Sequence, residues 1–298
     1  MNNTAPRGAI PKLSIMMFLQ YAVWGLWLPI LGRYLQAPVA DGGLGFTAEN
    51  VGWIIGTSAS IGAVAAPFIA GQFADRYFRA DRFLAFLLLA GGIVQIILAR
   101  QTTVPGWIIF SILYSVLFMP TLSLTNSVTF ANLSNTETQF PKVRVFGSFG
   151  WIAAAWVFPM IWLQTGLRFQ SLPPFLVGDE RLDVTSRLID AMTFSGVLSI
   201  LYAIYCVVML PATPPKKHGV ESIAFAKAFA LMLKPSVLVL VISSLIIAMI
   251  HQIYFIQTSQ FLADRGLQDM YIMPAMSIGQ FMEIVVMAML GFLLTRFG

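Results

Sequence analysis

The sequence predicts an all-α integral membrane protein, and three observations carry that reading. Of the 298 residues, 58% are hydrophobic and only 10% are charged, whereas a soluble domain carries about 25% charged residues. The apolar residues gather into eight runs, and roughly 17–25 such residues suffice to cross a bilayer as a helix. The lysines and arginines of the connecting loops lie mostly on one side of those runs, the asymmetry that sets orientation in membrane proteins. Strands of a β-barrel would alternate apolar and polar residues over about ten positions, a pattern these runs lack.

The first run, 13–35, is too long and too weakly flanked by a cleavage site to be a removed signal peptide. The second, 50–73, and the third, 82–99, are joined by the basic loop GQFADRYFR. The fourth spans 104–126 and the fifth 143–164. Upstream of the fifth, Ser134 and Glu137 have capping-box spacing. A helix begun near residue 135 would be kinked at Pro141 and would carry Arg144 about 13 Å further in. The sixth run, 190–210, holds the single cysteine, Cys206, so no intramolecular disulfide is possible. Pro211, Pro214 and Pro215 end it, because proline lacks the helical donor. The seventh run is 235–262 and the eighth 270–295.

Two connections are longer than the rest. Segment 165–189 contains Pro173-Pro174 and mixed charges and is expected on the outer side. Segment 211–234 divides six spans from two, and its stretch ESIAFAKAFALML has apolar residues at helical spacing, which fits a helix lying on the cytoplasmic membrane face. Twelve loop lysines and arginines on one side against six on the other put both termini in the cytoplasm. The basic balance follows this membrane pattern and gives no reason to expect a nucleic-acid partner. Residues 1–210 then form a six-helix bundle, 211–234 a cytoplasmic linker, and 235–298 the start of a second bundle. Carriers built from two six-helix halves have this layout. On that layout the expectation is a chain lacking four helices, rather than a complete eight-helix protein.

Spacing marks candidate site residues. Gln20, Trp24 and Trp27 lie at i, i+4 and i+7, so they share a helical face. Arg144, Ser148 and Trp151 repeat that spacing on the fifth span, and Gln280 and Glu283 are i, i+3 on the eighth. An ionisable residue as deep as Glu283 usually faces a cavity and marks a pathway or proton relay. Burial disfavours the charged form of a carboxylate, which makes proton exchange there feasible. His251 is a second titratable group within the spans, for which a bond to a neighbouring helix is the competing role. Amides and carboxylates on such faces suit a small polar, planar substrate, and aromatic stacking on a base is worth about 1–3 kcal/mol. Packing explains Trp24 and Trp27 equally well, and a bond between helices would explain Gln20. Asn126, near the inner end of its span, reads as structural.

Several stretches together resemble a known family. The loop GQFADRYFR resembles the signature of the major facilitator superfamily, with Gly71, Asp75 and Arg76 in place and Phe78 where a glycine is common. FLQYAVWGLW (18–27), MPTLSLTNS (119–127), FPKVRVFGSFGW (140–151) and SIGQFMEI (277–284) are together similar to the bacterial nucleoside:proton symporters of that superfamily. The resemblance implies a major facilitator fold, nucleoside import coupled to protons, no cofactor beyond the proton gradient, and a monomer in the inner membrane. It implies substrate contacts at Arg144, Ser148, Trp151, Gln252, Gln280 and Glu283, and a conformational role for Gly71, Asp75 and Arg76. Phe255 stands where the family has an asparagine. A sugar or drug carrier of the same superfamily is the nearest rival. A membrane enzyme is a more distant one, since His218 and His251 are the only histidines and no metal-ligand spacing appears.

Overall fold

The structure, a computed structural model, describes residues 8–70, 78–171, 175–214 and 234–297. The motif residues Gly71, Asp75 and Arg76 and the expected helix of the 211–234 linker lie outside these. Eight helical segments are long and apolar enough to cross a membrane, as the eight runs predict. Helices α1 (Ala9–Gln36), α2 (Ala48–Pro67), α3 (Ala80–Leu98), α4 (Val104–Asn132), α5 (Thr136–Phe158) and α6 (Asp190–Met209) make up the first six spans. α7 (Pro235–Asp264) is the seventh, and α8 (Asp269–Met276) with α9 (Ile278–Phe297) forms the eighth.

Within the first six spans α1 packs on α5 and α6, α2 on α4, and α3 on α4 and α6. Close approach is set by small residues. A Cβ on Gly150 of α5 would collide with the Phe18 carbonyl of α1, and one on Gly32 of α1 with the Ile256 carbonyl of α7. Hydrocarbon leaves backbone and side-chain polar groups no solvent partner, and the bundle pairs many of its own. Ser195 Oγ donates to the Val23 carbonyl at 2.6 Å, and Ser199 Oγ to the Leu88 carbonyl at 2.8 Å. At the basic face, where α3 begins, the Asp81 carboxylate is 1% exposed. It accepts from Arg79 at 2.9 Å and from the Thr213 backbone N–H at 2.9 Å.

Four local departures from the sequence reading have physical causes. α5 begins at Thr136, as the expected start near residue 135 predicts, but with a different cap. Its cap is Asn135, whose side chain accepts from the Thr138 N–H at 3.1 Å, while Ser134 pairs with Gln139 rather than Glu137. Pro141 lies inside this helix. α4 runs on past 126 to Asn132, whose amide donates to Thr213 Oγ1 at 2.9 Å. The 165–189 segment holds an antiparallel hairpin, β1 (Gln164–Phe169) with β2 (Leu176–Glu180), and a helical turn at Val184–Arg187. The eighth span is interrupted at Ser277, whose hydroxyl donates back to the Pro274 carbonyl at 2.7 Å.

Candidate functional site

Helices α7–α9 meet the first six through a polar cluster at the hairpin face. There the Arg33 guanidinium of α1 binds the Asp269 carboxylate at the start of α8, at 2.8 Å, and reaches Gln260 of α7 at 3.4 Å. Thr185 Oγ1 donates to the same carboxylate at 3.0 Å, and Glu180 accepts from the Met270 N–H at 2.9 Å. Burial raises the Glu180 pKa above the ordinary carboxylate range, with the Met270 N–H pulling it back and Asp269 pushing it up again. Below this clasp, the Trp156 indole N–H of α5 donates to Ser277 Oγ at 2.8 Å, pinning the break between α8 and α9.

Between α1, α5, α7 and α8–α9 lies a cavity of about 720 Å³, within the range of ligand pockets. The Arg144 guanidinium and Glu283 carboxylate face each other there at 3.5 Å, with side chains 22% and 40% exposed. Arg144 also lies over the Tyr21 ring, 4.3 Å from its centroid. One guanidinium nitrogen, Nη1, and the Ser148 hydroxyl are buried without a hydrogen-bond partner. Polar groups buried in that state cost about 1–3 kcal/mol each, so both are free to meet a bound solute. The Gln280 amide, in its satisfied orientation, donates to the Met276 and Ser277 carbonyls. Trp24, Trp151 and Phe255 form an aromatic wall, with Trp151 5.8 Å from Trp24 and 5.6 Å from Phe255, each pair meeting edge to face.

The cavity thus gathers Trp24, Arg144, Ser148, Trp151, His251, Phe255, Gln280 and Glu283. Gln252 lies instead on a second, adjoining chamber, together with Trp27. Gln20 lines neither: fully buried, it donates to Thr121 Oγ1 at 2.8 Å and ties α1 to α4. Asn126 also lies away from both. Tyr21 belongs to the site although the sequence reading passed over it. Its only signal is an aromatic ring three residues from Trp24, itself on the wall. Among the described residues no cluster of His, Cys, Asp or Glu could hold a metal ion.

The family described as "Nucleoside H+ symporter" matches residues 8–298. The putative nucleoside transporter YegT of Escherichia coli K12 is 33% identical over 292 residues, covering 96% of this chain and 62% of the relative. The xanthosine permease of the same organism is 28% identical over 305 residues, covering 96% and 66%. The chain therefore spans just under two thirds of the length of these curated relatives. The crystal structure of the nucleoside transporter NupG superposes with a TM-score of 0.72 at 22% identity, over 98% of this chain and 69% of that one. That likeness shows a shared fold.

Proposed function

The chain belongs to the nucleoside H+ symporter family, and from that premise we propose that it imports nucleosides across the cytoplasmic membrane by proton symport. The observation that carries the reading is the Arg144–Glu283 pair, set in a cavity between the first six helices and α7–α9. The Glu283 carboxylate faces the Arg144 guanidinium at 3.5 Å. When a proton neutralises it, the guanidinium is released and both groups are free for substrate hydroxyls. Loading of proton and solute is thereby coupled at one place. Ser148 Oγ and Arg144 Nη1 supply further hydrogen bonds, and the aromatic wall supplies stacking faces for a planar base. His251, on the same cavity, is the alternative proton carrier.

Alternating access then rocks α7–α9 against the first six helices, with Gly71, Asp75 and Arg76 as the conformational loop. The lysine and arginine bias of the loops supports placing both termini in the cytoplasm and the hairpin outside. The energy source is the proton gradient, without a cofactor, and the carrier acts as a monomer. The relatives are named as transporters and permeases, which favours a carrier over a membrane enzyme. In cells expressing the gene, uridine and adenosine uptake should rise as external pH falls, hexoses should not compete, and Glu283→Gln should abolish the pH dependence. Unchanged pH-dependent uptake in that variant would sink the proposal.

A further inference from the structure

The main cavity does not end at its aromatic wall. Beyond Trp24, His251 and Phe255, which border both spaces, lies a chamber of about 250 Å³ enclosed chiefly by α1, α2, α4 and α7. Its character differs from that of the first. No lysine, arginine or carboxylate lines it, and its polar groups include the Ser111, Tyr114 and Ser115 hydroxyls and the Trp27 indole N–H. Tyr114 and Ser115 are each 4% exposed. Ser115 Oγ is buried without a hydrogen-bond partner, and Tyr114 Oη and Trp27 Nε1 have none beyond each other. The Tyr114 and Trp27 rings meet edge to face at 5.7 Å, which turns their polar ends toward one another.

Three polar groups with bonding capacity left over, set among aromatic faces, are complementary to a flat ring with a polar edge. The chamber is smaller than the roughly 300 Å³ at which whole-ligand pockets begin, so it suits one end of a solute. The charged end of the path, at Arg144 and Glu283, suits vicinal hydroxyls. We infer that this chamber is the nucleobase subsite, with the substrate lying across Trp24 and Phe255, ribose toward Glu283 and the polar base edge on Tyr114, Ser115 and Trp27. The inference rests on the nucleoside reading above.

The test is equilibrium binding to the purified protein in lipid nanodiscs, using ligand pairs that differ only at the base edge. Inosine is compared with purine riboside, which lacks the 6-oxo group, and uridine with its analogue lacking the 4-oxo group. Wild type should prefer the oxo ligand of each pair it binds. Tyr114→Phe and Ser115→Ala should each cut that preference by about three- to tenfold, leaving the ratio of inosine or uridine to its 2′-deoxy form unchanged. A preference equal to wild type in both variants overturns the subsite, as does a parallel loss for every ligand, which marks a packing role. Wild type binding none of these nucleosides overturns the nucleoside reading itself, a result distinct from either.

Discussion

Arg144 answers to several neighbours at once: the Tyr21 ring at 4.3 Å, the Glu283 carboxylate at 3.5 Å, and a free Nη1 beside the unpaired Ser148 hydroxyl. A lysine keeps the charge but has neither the flat face nor the fork. A cation–π contact is worth about 0.5–2 kcal/mol, so Arg144→Lys should weaken nucleoside binding about tenfold with little change in the melting temperature. Titration calorimetry and a thermal melt on the same preparation check both halves. Arg144 was singled out by its i, i+4, i+7 spacing with Ser148 and Trp151 and by the family resemblance. The place of Gln20 was not legible, because the i, i+4, i+7 stripe gives direction and not depth. Trp24 reaches the cavity, while Gln20, about 6 Å along the helix, meets Thr121, a partner 101 residues away. No pattern within one helix encodes that pairing.

Helices were legible because an apolar run long enough to cross a bilayer leaves few alternatives; their ends were not, since polar residues inside a helix lower its hydropathy. The seven residues TETQFPK of α5 lie outside the apolar run, and only the capping-box spacing marked them as helical; the cap itself is Asn135. The hairpin escaped notice for a related reason. Its strands have five and six residues, and β1 is exposed at every position but the first, so no apolar alternation announces it. Where elements cross, glycines decide the spacing. Gly150→Val would drive a side chain into the Phe18 carbonyl of α1, and overpacking of this kind costs about 1–3 kcal/mol. Its melting temperature in detergent should fall by several degrees. Gly279→Val, with nothing within 4 Å of the added Cβ, should leave it unchanged.

For the molecule as a whole, the Arg33–Asp269–Thr185 clasp joins α1, the segment before α6, and α8 at the hairpin face. None of it was visible in the sequence, where a charge at a span edge is explained by its access to water. Beneath the clasp, Ser259 of α7 is fully buried where α7 crosses Gly32 of α1. Asp269→Asn weakens the tie, so a Ser259→Cys variant should react with a maleimide several-fold faster in that background. Equal rates would show that the clasp does not hold this face shut. Cys206, free and buried in α6, leaves the assay a quiet background. The break at Ser277 has a mechanical consequence. It is pinned to α5 through Trp156, while Glu283 sits six residues further on, about 9 Å away along α9. A pivot of roughly 20° at that fulcrum sweeps the carboxylate through about 3 Å, comparable to its 3.5 Å separation from Arg144. A short lever on a fixed bearing can therefore make or break the ion pair while α8 stays latched, leaving the charge switch and the hairpin-face latch free to operate in sequence.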